Sequence, residues 1–215
     1  MSYKLQVTSY KLQITLLRFL FSVFCFLLFF PSFAQYNKSP HDAPHFVYQS
    51  SLSAAFGIGK NYVEQDTLKG NSYSVDFQQL VAYQFSNIFY TGVGAGLDFW
   101  ITEKKLSTFI PIFANATVKF MDKKSAPFLF ANIGYAFKWQ MAKKMEENIF
   151  YGTKAGIYFQ AGIGINVKFS EKLSLLFSAY YKMQQSAIQY RDGLLLAETK
   201  NQLFHFAGIK VGLLY

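Results

Sequence analysis

The segment 203-LFHFAGIKVGLLY-215 decides how this chain is read. With a period of two, Leu203, His205, Ala207, Ile209, Val211, Leu213 and Tyr215 share one side, and Phe204, Phe206, Gly208, Lys210, Gly212 and Leu214 share the other. Successive strand side chains point to opposite faces, so this is a strand between two unlike environments. One face is apolar and ends on an aromatic residue. The other mixes glycine, lysine and phenylalanine.

The same alternation, broken by turn signals, recurs back to Phe46. It predicts eight strands near 46–60, 72–85, 88–101, 106–120, 126–139, 154–169, 172–184 and 203–215. Each is long enough to cross a bilayer at a tilt, which takes about 9–11 residues. The connections alternate in length. Ser86-Asn87, Met121 to Ser125 and Ser170-Glu171 are tight turns. Asn61 to Asn71, Thr102 to Lys105, Gln140 to Thr153 and Gln185 to Gln202 are mostly longer, with charge, Gly and Asn.

Glycine and charge sort together. Gly57, Gly59, Gly92, Gly94, Gly96, Gly134, Gly156, Gly162, Gly164, Gly208 and Gly212 fall on one face of their strands. Asp76, Asp98, Lys119, Lys138, Lys168, Lys182 and Lys210 fall on that same face. The opposite face of strands two to eight carries no Asp, Glu, Lys or Arg. Glycine weakens a strand unless space is short, as it is on the concave side of a small barrel. A cation facing lipid at mid-bilayer costs roughly 2–4 kcal/mol, so a charge-free face suits lipid. The alternative is a soluble lipocalin-type barrel, with the apolar face inward around a ligand and the glycine face in water. The expectation is an all-β, eight-stranded, antiparallel up-and-down transmembrane β-barrel over residues 46–215.

Composition agrees. Hydrophobic residues make up 52% of the chain and charged residues 15%, which excludes a disordered chain. Beyond the N-terminus no apolar run is long enough for a spanning helix. Residues 1–34 read as a signal peptide: Lys4, Lys11 and Arg18, then the apolar block Phe19 to Phe33, then Ser32-Phe33-Ala34. Cleavage is expected after Ala34, leaving 35–45, with Pro40 and Pro44, as an extended tail. Cys25, the only cysteine, leaves with the signal, so no disulfide or cysteine chemistry is expected in the mature chain. Ser2 to Thr8 is nearly duplicated in Ser9 to Thr15, and translation starting downstream of Met1 is the favoured explanation. Despite a formal charge of +9, no basic cluster interleaved with aromatics marks a nucleic-acid face.

With Tyr215 ending an amphipathic strand, the chain resembles the small outer-membrane β-barrel proteins of Gram-negative bacteria, the OmpA/OmpX-type eight-stranded barrels and the porin-family "outer membrane β-barrel domain" proteins. The resemblance implies export to the outer membrane, short periplasmic turns opposite extracellular loops, and a terminal strand, here ending at Tyr215, read by the assembly machinery. It implies lipid and lipopolysaccharide as surroundings. Tyr83, Phe85, Phe89, Phe120, Phe169 and Tyr215 then fall near the periplasmic boundary, and Tyr73, Phe99, Tyr135, Phe137, Trp139 and Tyr181 near the outer one.

An eight-stranded barrel has an interior just wide enough for side chains. Phe109, Phe113, Tyr158, Tyr180, Phe204 and Phe206 point inward, which disfavours an open diffusion pore. Asp76, Asp98, Lys138 and Lys182 share the loop half of the lumen and are expected to form a salt-bridge cluster, structural rather than gating. Lys119, Lys168 and Lys210 are expected in the turn half as hydrated lysines near the mouth. The favoured role is structural, or interaction with an unidentified protein or surface ligand through loops charged at Glu64, Asp66 and Lys69, at Glu103, Lys104 and Lys105, at Lys143, Lys144, Glu146 and Glu147, and at Arg191, Asp192, Glu198 and Lys200. The alternatives are a narrow or gated channel and a PorT-like accessory barrel of a secretion system. A more remote one is a lipid A-modifying enzyme using His205 with Ser186. His41 and His45 are a pair without a third ligand, which is weak evidence for metal, and no metal or cofactor is expected.

Overall fold

The alternating segments close into one ring of hydrogen-bonded ladders. The computed structural model describes residues 44–58, 61–63, 66–68, 72–102, 105–139, 152–154, 156–170, 173–190 and 198–215. Among them run β1 (His45–Gly57), β2 (Asn61–Val63), β3 (Asp66–Leu68), β4 (Tyr73–Ser86), β5 (Phe89–Thr102), β6 (Lys105–Lys119), β7 (Ser125–Trp139), β8 (Gly152–Lys154), β9 (Gly156–Lys168), β10 (Ser174–Tyr190) and β11 (Glu198–Leu214). Every pairing is antiparallel, and β11 pairs with both β10 and β1, which closes the sheet. β8 lies on β10 at Ala187 to Gln189, past the end of β9, and so continues the same stave. The barrel therefore has eight staves, and β2 and β3 form a small hairpin in the connection from β1 to β4. The expected signal peptide 1–34 and the tail as far as Ala43 lie outside the described residues, as do Gly59, Glu64, Lys69, Glu103, Lys104, Lys143, Lys144, Glu146, Glu147, Arg191 and Asp192.

Two expected connections are mostly strand, the one from Asn61 to Asn71 that holds β2 and β3 and a longer one. Gln185 to Gln202 reads as a loop, yet β10 and β11 stay paired from Gln185 opposite Leu203 to Tyr190 opposite Glu198. A two-stranded ladder needs only its partner's backbone. Its polar sequence therefore has no apolar alternation to show.

Side-chain direction follows the period of two. Val93 and Ile209 are each 67% exposed, and Leu52, Ile133 and Ile163 are similarly bare. Large apolar residues line the outside of every barrel stave, far beyond the few hundred Å² that soluble monomers expose. Asp76, Asp98, Lys182 and Lys210 are buried. The lipocalin-type alternative is thereby overturned, because the apolar face is the outer one.

The inward glycines have specific neighbours. Across the ladders Gly94 and Gly134 both lie opposite Phe113, Gly162 opposite Phe130 and Gly164 opposite Phe128. A Cβ on Gly162 would stand 2.7 Å from Cε1 of Phe130, and one on Gly164 2.7 Å from the Phe128 ring. Each ring lies over a backbone with no side chain, which lets bulky aromatics fit a narrow interior.

The chain ends in the seam that closes the ring. The amide of Tyr48 donates to the carbonyl of Tyr215 (2.7 Å), and the amide of Tyr215 donates back to Tyr48 (2.9 Å). Their rings stack at 6.3 Å. On the outer face the Tyr215 hydroxyl lies 2.8 Å from Ser50 Oγ, which donates to Gln79 Oε1 at 3.0 Å.

Candidate functional site: the polar core of the barrel

The register of β4 against β5 creates an electrostatic problem. It sets Asp76 directly opposite Asp98. Like charges facing each other across a ladder repel, and both residues are buried. Lys182, on β10 across the interior, meets both carboxylates. Its ammonium donates to Asp98 Oδ2 (2.8 Å), to Asp76 Oδ2 (3.3 Å) and to Ser74 Oγ (2.5 Å). The carboxylates gain further donors. Asp98 accepts from Ser74 Oγ (2.7 Å) and Trp100 Nε1 (2.8 Å). Asp76 accepts from Gln78 Nε2 (3.0 Å) and the Tyr180 hydroxyl (3.3 Å). Buried charges persist when their remaining hydrogen-bonding capacity is satisfied in this way.

Of the four residues expected to cluster in the loop half, Asp76, Asp98 and Lys182 are joined by these ion pairs. Lys138 is half-buried, with its ammonium 5.8 Å from the centre of the Phe109 ring. On the loop side of the ion pairs sits an aromatic cap. Trp100 contacts Phe109, Phe204 and Phe206 at centroid distances of 4.2, 4.4 and 5.1 Å.

Lys210 differs from the sequence expectation of a hydrated lysine near the mouth. It is buried at the level of the cluster, because the register places it opposite Ser53, itself opposite Asp76. It donates to Gln160 Oε1 (2.6 Å) and Gln78 Oε1 (2.9 Å) and lies 4.7 Å from the Phe130 ring centre. Gln160 Oε1 also accepts from Asn132 Nδ2 (3.0 Å) and the Tyr158 hydroxyl (3.2 Å). Asn132 in turn accepts from Asn115 (2.6 Å), and Asn115 from Thr117 (3.1 Å). A continuous polar network thus runs from Trp100 to Thr117. Sequence reasoning named its charged members and its tyrosines but missed Ser74, Gln78, Asn115, Asn132 and Gln160. Their shared parity with the glycine face is the signal that could have found them.

Toward the turn end lies a small cavity lined by Gln49, Tyr90, Asn115, Thr117, Asn132 and Lys210, with room for about one or two waters. Lys119, also expected as a hydrated lysine, is instead buried beside it, 5.6 Å from the Tyr90 ring centre. Lys168 leaves the interior for the β6–β7 turn, where it pairs with Asp122 at 2.6 Å. That hydrogen bond holds the Asp122 carboxyl below the usual aspartate range.

His205 faces outward and is paired with Tyr181: its Nδ1 lies 2.5 Å from the tyrosine hydroxyl, and the rings stack at 5.9 Å. The ladder sets Ser186 opposite Gln202 and His205 opposite Met183, so the two are not brought together. Among the described residues no cluster of His, Cys, Asp or Glu could hold a metal ion.

No family model and no curated protein matches the sequence. Solved structures do resemble the fold. Neisserial surface protein A gives a TM-score of 0.54 at 12% identity, covering 80% of this chain and 98% of that one. The outer membrane protein OprG of Pseudomonas aeruginosa gives 0.52 at 9% identity, over 81% and 97% of the two chains. The outer membrane protein AlkL, solved in DMPC bilayers, gives 0.51 at 11% identity, over 83% and 92%. At such identities the likeness is one of architecture. With its closed ring, its apolar exterior and its polar core, this chain has the fold of the small eight-stranded outer-membrane β-barrels.

Proposed function

We propose that the chain is an integral outer-membrane barrel with a closed lumen. On this reading it is non-catalytic and works as a rigid support for the loops at one end. The observation that carries the reading is the filled interior. The Trp100–Phe206 cap, the Lys182 ion pairs and the Gln160 network follow one another along the axis without an open passage among the described residues. The apolar exterior supports placement in a bilayer, and the short turns fit the periplasmic end of such barrels. Loops on a stiff scaffold are where such a protein meets a partner.

The test is planar-bilayer recording together with loop exchange. The wild-type barrel should show no steady conductance, and Trp100→Ala with Phe206→Ala should leave it closed, because the ion pairs and the Gln160 network still fill the axis. Shortening the β7–β8 connection, 140–151, should abolish surface binding of whole cells to a partner while leaving heat-modifiable gel mobility intact. An open-channel current from the wild-type protein would overturn the closed lumen.

A further inference from the structure

We propose that the β6–β7 turn is a binding site for the phosphate of an anionic phospholipid in the leaflet at the turn end of the barrel; this rests on the membrane placement above. The turn runs from Phe120 to Lys124. It presents Lys123 and Lys124, both exposed, beside the half-buried Lys168 at the end of β9, while Lys119 at the end of β6 is buried in the lumen. The amide of Lys168 donates to the carbonyl of Lys124 (2.8 Å), so the end of β9 and the turn form one surface. Among the described residues the lysines that reach solvent here, Lys123, Lys124 and Lys168, meet one acid, Asp122, and its carboxylate is already taken by Lys168. Neither Lys123 nor Lys124 forms an ion pair with another described residue.

The same turn marks a boundary between apolar and polar surroundings. Phe120 and Phe169 are 57% and 71% exposed, and Met121 is exposed beside them. Exposed rings followed in sequence by exposed lysines fit acyl chains on one side and a phosphate on the other. The charge is local to this turn. The β4–β5 turn at Ser86-Asn87 is uncharged, and the connection 169–173 carries one acid and one base, Glu171 and Lys172. An anionic headgroup near the surface is attracted by each nearby lysine, and zwitterionic lipid much less.

The experiment uses the full barrel in nanodiscs of phosphatidylcholine containing one part in five phosphatidylglycerol. Retained lipid is counted by native mass spectrometry after transfer to detergent. Phosphatidylglycerol should be enriched about twofold over its share, and Lys123→Gln with Lys124→Gln should bring it to parity. Ser86→Ala in the uncharged turn should leave the enrichment unchanged. All three substituted residues are exposed, and heat-modifiable mobility confirms folding. No enrichment in the wild type, or full enrichment in the double variant, overturns the proposal. Complete displacement by millimolar inorganic phosphate also overturns it, because the site would then read a free anion rather than a lipid. A chain that enters no bilayer at all overturns the membrane placement instead.

Discussion

The ammonium of Lys182 lies 2.8 Å from Oδ2 of Asp98, and neither side chain reaches solvent. Removing one partner of such a pair strands a buried charge, and two carboxylates depend on this lysine. Lys182→Met should destabilise the barrel by about 3–5 kcal/mol in urea titrations in lipid vesicles. Adding Asp76→Asn and Asp98→Asn should recover a large part of that loss. A triple variant as unstable as the single one would show that the charges are not what Lys182 serves.

Tyr215 holds the seam by three means: backbone bonds to Tyr48, ring stacking on Tyr48 and a hydroxyl bond to Ser50. Tyr215→Phe removes only the last and should cost about 0.5–1.5 kcal/mol. Tyr215→Ala also removes the stack and should slow insertion into vesicles, followed as the appearance of the compact, heat-modifiable band. Equal insertion rates for the two variants would mean that the ring has no part in closure.

Gly164 sits under the Phe128 ring, with the Phe177 carbonyl on its other side. Gly164→Val has no free space to enter, and overpacking in a tight interior costs about 1–3 kcal/mol or more. The variant should fold poorly, and Gly164→Val with Phe128→Leu should fold better than Gly164→Val alone. The readout is the folded fraction on unheated gels.

The Asp122–Lys168 pair is a smaller matter, since both side chains are more than two-fifths exposed. Asp122 has its folded pKa below the unfolded one, so its contribution is present at neutral pH and fades as pH falls through the folded value. Asp122→Asn should cost less than about 1 kcal/mol at pH 7. The difference from wild type should vanish in strong acid, measured as paired urea midpoints at the two pH values.

The period-two pattern makes inside and outside legible from the residues alone, because a strand gives each side chain only two directions. That is why Asp76, Lys182 and Lys210 could be placed in the lumen from the sequence. The pattern fails at Gln185 to Gln202, where pairing continues without an apolar face to announce it.

By itself, then, the sequence determined the class of fold, the number of staves and the face each side chain takes, since local alternation carries that information. Only the tertiary structure decided which inward groups meet. The relative shift of neighbouring strands sets the height of each residue along the barrel, and no single strand encodes it. It is this shift that puts Lys182 between Asp76 and Asp98, sends Lys168 out to Asp122, and draws Lys210 to Gln78 and Gln160, on staves far from its own in sequence.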